Sequence, residues 1–306
     1  MIPVTIVGGF LGAGKTTLVN HVLRAATRRY AVLVNDFGTL NVDAALIVGQ
    51  DGAVVSLANG CVCCSIGPDL GGTLAQVAAR QPAPEYILVE TSGVSDPWRV
   101  AQMVKLEPGV ALDAVLVLVD AAAFPNQLAD PYLTDTLERQ LARADLIILN
   151  KTDLAPPDVA AAAVRRIRPD ARLIEVARAT LPEALILGTP GMPASRFAAE
   201  PPEHAFRTWL WQETEPFDQE RLAAVLEALP AAVLRLKGVC AIGPEAAPHL
   251  LQLAGRRWSL APWDAAPTGL VMIGTSALPD DQALKALFDD ALVRKMFSTS
   301  PTKGVS

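Results

Sequence analysis

The stretch Gly9-Phe10-Leu11-Gly12-Ala13-Gly14-Lys15-Thr16 decides the fold, because it fits the pattern G-x-x-x-x-G-K-[ST]. An apolar run at 2–7 precedes it and predicts a buried strand, and apolar residues at helical spacing follow it from Leu18 to Leu23. A strand, a glycine-rich turn and a helix in this order predict a phosphate-binding loop, whose N–H groups and helix dipole attract anions. The alternative is a glycine-rich turn that binds nothing. We expect Lys15 to reach the β- and γ-phosphates of a nucleotide and the Thr16 hydroxyl to ligate Mg²⁺.

Further apolar runs alternate with helical patterns through the first two-thirds of the chain. A helix is predicted over about 69–80, and the predicted strands are 30–35, 53–57, 86–90, 115–120 and 146–150. Near-continuous apolar strands separated by helices are typical of a mostly parallel sheet covered on both faces. The sequence therefore predicts an α/β fold of the P-loop NTPase type.

A second, smaller domain is predicted after a change of composition. Prolines and glycines cluster beyond residue 177, which indicates a linker. Beyond it we predict strands at 206–211, 233–242, 257–260 and 270–274 and helices at 218–229 and 279–288, with Asp218 as an N-cap. The expected organisation is a P-loop domain (1–180), a Pro-rich linker (181–205), a small α+β domain (206–297) and a disordered tail (298–306).

Composition excludes several classes of protein. The 306 residues are 51% hydrophobic and carry a net charge of −6, which argues against a nucleic-acid partner. The longest later apolar stretch, 114–124, is interrupted by Asp120 and is too short to span a bilayer, so we expect no membrane partner. No basic leader precedes the first strand, and we expect a cytoplasmic protein.

A second nucleotide signal, Asn150-Lys151-Thr152-Asp153, directly follows the apolar run 146–150. The Asp153 carboxylate can accept hydrogen bonds from guanine N1–H and the 2-amino group, a donor pair that adenine lacks. Lys151 can lie along the base, and Asn150 can tie this loop to the phosphate-binding loop. The sequence therefore predicts GTP rather than ATP.

Carboxylates end or follow several predicted strands. Glu90, which ends the strand 86–90, is expected beside the phosphate-binding loop as part of the Mg²⁺ shell. Asp36 and Asp43 lie in the loop after the second strand, where each can ligate a metal, orient the attacking water, or remain merely solvated. Asp120 also ends a strand, and we assign it a structural role.

Three of the four cysteines, Cys61, Cys63 and Cys64, lie within four residues. This spacing strains any disulfide between them, whereas three thiolates can converge on Zn²⁺. A closed structural zinc site takes four ligands, and the three histidines are scattered, which favours an exchangeable site. The alternative is that the cysteines serve as small buried hydrophobes.

Together these motifs resemble the CobW-type metallochaperone GTPases of the P-loop family, in order and spacing. The resemblance rests on 9–17, Asn35-Asp36-Phe37-Gly38, Asn59-Gly60-Cys61-Val62-Cys63-Cys64, Glu90-Thr91-Ser92-Gly93 and 150–153, and more weakly on Arg235-Leu236-Lys237-Gly238 and 270–274. It implies a GTPase that binds Zn²⁺, Co²⁺ or a related ion at its Cys-x-Cys-Cys motif and delivers it to a client metalloprotein. A homodimer is a second expected association.

The resemblance assigns roles residue by residue. The expected nucleotide-binding residues are Gly9, Gly12, Ala13, Gly14, Lys15, Thr16, Thr17, Asn150, Lys151 and Asp153; the expected catalytic residues are Lys15, Thr16, Glu90 and Asp43; and the expected metal ligands are Cys61, Cys63, Cys64, Asp36, Thr16 and Glu90. Three departures stand out. Asp36 occupies a position where the family usually has Glu, Ser92 one where it usually has Thr, and the chain has no histidine-rich stretch.

Two other functions compete with this reading. The protein would be a nucleotide-switched assembly chaperone without metal cargo if its cysteines were structural or redox-active. A small-molecule kinase is less favoured, because the Asn-Lys-x-Asp motif indicates guanine and no acceptor site is evident.

Overall fold

A computed structural model of the protein describes residues 1–25, 29–34, 53–56, 69–186, 206–213, 215–264 and 266–293. Two sheets organise these residues. The first has seven parallel strands: β1 (Ile2–Gly9), β2 (Tyr30–Val34), β3 (Ala53–Ser56), β4 (Tyr86–Glu90), β5 (Val110–Asp120), β6 (Leu146–Asn150) and β7 (Leu173–Glu175). Their spatial order is β3-β2-β4-β1-β5-β6-β7, which places β1 at the centre.

Helices cover both faces of this sheet. They are α1 (Lys15–Ala25), α2 (Asp69–Ala78), α3 (Pro97–Leu106), α4 (Phe124–Ala129), α5 (Thr134–Ala142), α6 (Asp158–Ile167) and the short α7 (Glu183–Ile186). On one face, apolar side chains of α2, α3, α5 and α6 pack against the strands, and on the other face those of α1 and α7 do so. The strands read as continuous apolar runs because both faces are buried.

The second sheet is antiparallel and has its own core. Its strands are β8 (Phe206–Trp211), β9 (Val233–Ile242), β10 (Ala247–Ala254), β11 (Arg257–Pro262) and β12 (Gly269–Thr275), in the order β11-β10-β9-β12-β8. Two helices, α8 (Gln219–Ala228) and α9 (Asp281–Asp289), cover one face around Trp211, Phe217 and Phe288. The fold is therefore the predicted α/β domain followed by a small α+β domain.

The other face of the second sheet packs on the first domain. Leu234, Val271 and Ile273 belong to the same buried cluster as apolar residues of α1, α7 and β1. Leu181, Leu185 and Ile186 are buried in that cluster too, so the first residues of the predicted linker are packed in the core. A Pro-rich composition hides this short apolar segment in the sequence, and residues 187–205 lie outside the described ranges.

A buried ionic group lies in the interface between the two domains. A β-bulge makes Asp113 an extra residue in β5, because Val4 pairs with Leu112 while Thr5 pairs with Ala114. Asp113 accepts hydrogen bonds from Tyr86 and from Arg235, and its other oxygen lies 3.4 Å from the Lys237 ammonium.

A second ion pair extends this interface. Arg257 donates to the Asp145 carboxylate at 2.6 Å and to the Asp113 carbonyl at 2.8 Å. Gly255 allows the close approach, because a Cβ there would lie 1.9 Å from the Asp145 carbonyl oxygen. Asp145 also accepts from the Val115 amide at 2.7 Å, which ties the contact directly to β5.

Candidate nucleotide-binding site

The phosphate-binding loop joins β1 to α1 at the centre of the first sheet, as predicted. Gly9, Gly12 and Gly14 have positive φ values of 134°, 76° and 104°, in which an L side chain would be strained. Gly14 is also needed for space, because a Cβ there would lie 2.4 Å from the Asn150 amide nitrogen. The loop thus turns tightly enough for α1 to begin at Lys15, and the N-terminus of a helix attracts anions.

Lys15 lies across this loop rather than out in solvent. Its ammonium donates to the Gly9 carbonyl at 3.0 Å and to the Phe10 carbonyl at 3.2 Å, and only 8% of the residue is exposed. The positive charge is therefore held within the loop that would cradle phosphate oxygens. This is the position from which a P-loop lysine reaches the β- and γ-phosphates.

Thr16, in the first turn of α1, lies next to Glu90, at the end of β4. Parallel pairing of β1 with β4 places Val7 opposite Glu90, and the Thr16 hydroxyl donates to the Glu90 carboxylate at 2.7 Å. Glu90 is only 2% exposed. A hydroxyl and a carboxylate oxygen form a hard donor pair that fits Mg²⁺, so these two residues would hold that ion.

Asn150 connects the loop at 150–153, called here the base-reading loop, to the phosphate-binding loop. Its side-chain amide donates to the Ala13 carbonyl at 2.9 Å, and its side-chain oxygen accepts from the Ala179 amide at 2.7 Å. Asn150 is 2% exposed. One buried side chain therefore fixes three loops relative to one another, as the sequence predicted for the first two.

Lys151 pairs with Asp120, a contact that sequence reasoning missed. The Lys151 ammonium lies 2.7 Å from the Asp120 carboxylate, whose other oxygen accepts from the Ala122 and Ala123 amides. The register of β5 with β6 places Asp120 opposite Asn150, so adjacent strand ends were the available signal. Asp120 thus has the expected structural role, but it also positions a residue of the predicted base-binding loop.

Asp153 lies at the open end of the same loop. Its side chain is 34% exposed, and the Arg178 guanidinium lies 3.7 Å from one of its carboxylate oxygens. A half-exposed carboxylate at this position is accessible to a base, as a guanine-reading residue requires.

The loop after Glu90 is fixed by Gln140, which the sequence did not single out. The buried Gln140 amide donates to the carbonyls of Gly93 and Ser95, both at 3.0 Å. Gly93 lies against the phosphate-binding loop, where a Cβ would be 2.8 Å from the Leu11 backbone nitrogen. A glycine is therefore required for the close approach of these two loops.

The predicted transition-metal site lies outside the described residues. Asp36, Asp43, Cys61, Cys63 and Cys64 all fall in the undescribed segments 35–52 and 57–68. Within the described ranges, no three His, Cys, Asp or Glu side chains are grouped closely enough to hold a metal ion. Cys240 is buried in the core of the second domain, and burial raises the pKa of its thiol to about 12.

Family comparisons agree with this architecture. The model of the CobW/HypB/UreG nucleotide-binding domain matches residues 3–175, and that of the cobalamin synthesis protein CobW C-terminal domain matches residues 206–292. The chain belongs to the CobW family. The prediction of a CobW-type P-loop GTPase is confirmed at this level.

Individual relatives of this CobW-family chain carry names that concern zinc. It is 33% identical to the zinc chaperone CobW of Pseudomonas aeruginosa, over 89% of this chain and 87% of the relative. It is 28% identical to the zinc-regulated GTPase metalloprotein activator 1 of Dictyostelium discoideum, over 85% of this chain and 66% of the relative. The Zn(II)-bound YjiA GTPase of Escherichia coli aligns with a TM-score of 0.46 at 24% identity, over 95% of this chain and 99% of that chain.

Among the residues that the structure describes, no helix combines the length and apolar character needed to cross a bilayer.

Proposed function

We propose that this CobW-family GTPase binds zinc at Cys61, Cys63 and Cys64 and uses GTP hydrolysis to release it to a client metalloprotein. The observation that carries the nucleotide half is the Asn150 bridge, which joins the phosphate-binding loop to the Asn-Lys-x-Asp loop. The metal half is supported by the names of relatives, which include a zinc chaperone at 33% identity. The name "metalloprotein activator" of another relative supports a metalloprotein as the client.

Each described site residue has a part in the hydrolysis. Lys15 would donate to the β- and γ-phosphates, and Asp153 would hold the guanine base. Thr16 and Glu90 would hold Mg²⁺, which neutralises charge that develops on the phosphate oxygens. Water attacks the γ-phosphorus, the bond to the β-phosphate oxygen breaks, and GDP and inorganic phosphate leave.

The loop after Glu90 is the part of the site that would sense the γ-phosphate. It contacts the phosphate-binding loop at Leu11 and is held by Gln140. The cysteine motif lies between β3 and α2 in the chain, and β3 belongs to the same sheet as β4. Hydrolysis would therefore change the zinc affinity through a switch in these strand-end loops. Co²⁺, the other ion that the family resemblance implies, is the second candidate cargo, and its affinity should be compared with that of Zn²⁺.

A zinc titration against a competing chelator tests the proposal. We expect the triple Cys61/Cys63/Cys64→Ser variant to lose at least about 100-fold in zinc affinity, because three thiolate ligands are removed. We also expect the wild type to bind zinc about tenfold more tightly with GTP than with GDP, because hydrolysis is proposed to release the ion. Affinity should fall as the pH falls, since protons compete for the thiolates.

The matched control is Cys240→Ala, which removes a thiol from the other domain. It should leave zinc affinity unchanged. Equal zinc affinity of the wild type and the triple variant would refute the metal site. Retained GTP hydrolysis without any zinc binding would favour the assembly chaperone that carries no metal.

A further inference from the structure

The loop after β7 holds two consecutive residues in an unfavourable backbone conformation. Arg178 and Ala179 have φ values of 53° and 54°, in the left-handed region that residues with a Cβ seldom adopt. Contacts hold them there. The Ala179 amide donates to the Asn150 side chain at 2.7 Å, and Ala179 is fully buried.

Further backbone contacts hold this loop against the base-reading loop. The Thr152 amide donates to the Val176 carbonyl at 3.2 Å, and the Val176 amide donates to the Leu149 carbonyl at 2.9 Å. With Ala179 turned inward, Arg178 points outward beside Asp153, and its Nε lies 3.7 Å from an Asp153 oxygen.

The ion pair of Arg178 with Asp153 does not account for the strained backbone at Arg178. The Arg178 side chain is 85% exposed, and an exposed ion pair contributes little to folding because water screens it. Strained residues whose side chains add little to stability are found at functional sites. A guanidinium is therefore presented next to the carboxylate that is expected to read guanine.

The chemistry of guanine supplies a partner for that guanidinium. Asp153 would occupy the N1–H and the 2-amino group, and the remaining atom of that edge, the O6 acceptor, lies next to N1. Arginine presents several N–H donors in a rigid fork and is a common partner of guanine O6. Adenine carries an amino group at this position, so Arg178 would face a donor instead of an acceptor.

We infer that the Arg178 side chain donates to guanine O6, so that this residue and Asp153 together select the base at three atoms. The inference rests on the proposed use of GTP. It assigns Arg178 to specificity and gives it no part in the attack on the γ-phosphate.

Nucleotide analogues that alter one base atom each test this assignment. Affinities of the full chain with Mg²⁺ are compared for GTP, for 6-thio-GTP, in which a weakly accepting sulfur replaces O6, and for ITP, which lacks only the 2-amino group. Mildly acidic pH keeps N1 of the thiobase protonated. We expect Arg178→Ala to weaken GTP about tenfold and to bring the GTP to 6-thio-GTP ratio close to one. The GTP to ITP ratio, which reports the Asp153 contact, should stay as in the wild type.

Arg256 provides a closely matched control. Its Nε lies 3.7 Å from an Asp170 oxygen, and its side chain is 53% exposed, in the turn between β10 and β11. Arg256→Ala should change neither ratio. Arg178→Gly, which relieves the backbone strain, should lose O6 selectivity as fully as Arg178→Ala.

Two results would overturn the inference. One is that Arg178→Ala keeps the same ratio of GTP to 6-thio-GTP affinity as the wild type. The other is that Arg256→Ala changes this ratio as much as Arg178→Ala does. A wild type that binds ATP as well as GTP would overturn the guanine specificity and this inference together. Normal base selectivity without GTP-dependent zinc binding would overturn the proposed function alone.

Discussion

The two ends of the strands in the first sheet carry similar charged side chains in opposite surroundings. At the carboxyl ends, Lys151 pairs with Asp120 at 30% and 12% side-chain exposure, and Asp153 is 34% exposed. Toward the amino ends, Asp113 and Arg235 pair at 2% and 3% exposure. At these two places residue type alone does not separate the predicted base-binding loop from a structural contact, whereas access to water does.

The physical reason is the cost of removing a charge from water. Half-exposed groups stay hydrated and can exchange one partner for a ligand with little penalty. Buried groups depend on their protein partners, since an unpaired buried charge is very costly. The loop at 150–153 is thus suited to binding and release, and the buried contact at Asp113 to holding the two domains together.

Buried groups toward the amino ends show this dependence in their ionisation. Burial, and then the charge of Asp113, raise the pKa of Tyr86 well above its ordinary value. Burial would lower the pKa of Arg235, but Asp113 raises it overall. Both side chains therefore keep their usual protonation state, and the carboxylate that holds them lies at the bulge in β5.

Removing the buried carboxylate should have the largest effect. We expect Asp113→Ala to lower the free energy of unfolding by about 3–5 kcal/mol, because Arg235 and Lys237 lose a buried counter-charge. Urea denaturation measures this. The control is Glu85→Ala, just before β4, where the partner Arg29 lies 3.1 Å away in an exposed pair. That loss should be about 1 kcal/mol or less. Equal losses in the two variants would contradict the distinction between buried and exposed pairs.

Lys15 tests the opposite end of the sheet, where the effect should fall on activity. We expect Lys15→Ala to reduce GTP hydrolysis about 100-fold, since one charge-assisted contact to the transferring phosphoryl group is lost. The free energy of unfolding should change by about 1 kcal/mol or less. Lys105→Ala serves as the control, because this lysine lies over the Trp98 ring, away from the loop. Hydrolysis at the wild-type rate in Lys15→Ala would remove this residue from the site.

The sequence predicted elements wherever local signals sufficed. The bounds of β4, β6, β8 and β9 match the predicted ranges. The strands β4 and β6 are continuous apolar runs that end at a turn, whereas β8 and β9 keep enough apolar residues around Arg207, Arg235 and Lys237 to be predicted as strands. The strand β10 was missed, since Pro248, His249 and Gln252 disguise its alternation.

Contacts between distant parts of the chain could not be predicted from the sequence. Asp113 and Arg235 are 122 residues apart, and the bulge that brings them together leaves no mark on the apolar run around it. In the site, Thr16 with Glu90 and Asn150 with the phosphate-binding loop were predicted because strand ends of a parallel sheet converge. The role of Gln140 was not predicted, because it lies on a helix and its side chain donates to backbone carbonyls, which carry no sequence signal.

Asp153 allows the ligand character of the carboxyl ends to be tested through base preference. We expect Asp153→Asn to weaken GTP about 30-fold, because the amide cannot accept both guanine donors. The same variant should bind xanthosine triphosphate more tightly than the wild type does, since the amide N–H₂ can donate to the 2-oxo group. Competition binding with GTP, xanthosine triphosphate and ATP measures both changes. Unaltered base preference would show that Asp153 does not read the base.

Cys240 shows what burial does to an ionisable group that faces apolar neighbours. It lies on β9, the strand of Arg235 and Lys237, but packs in the core of the second domain. Burial raises the pKa of its thiol from 9.0 to about 12. Between these values the thiol ionises in the unfolded chain and stays neutral in the folded one. The stabilising contribution is therefore complete below pH 9 and is lost as the pH rises toward 12.

Comparison with Cys240→Ala isolates this contribution, because Tyr86 and the other titrating groups are common to both proteins. From pH 8 to pH 10, the wild type should lose about 1 kcal/mol more free energy of unfolding than the variant. Parallel losses would mean that the thiol ionises in the folded protein as readily as in the unfolded one. The predicted difference would show that the apolar core of the second domain keeps the Cys240 thiol neutral at a pH where an exposed thiol ionises.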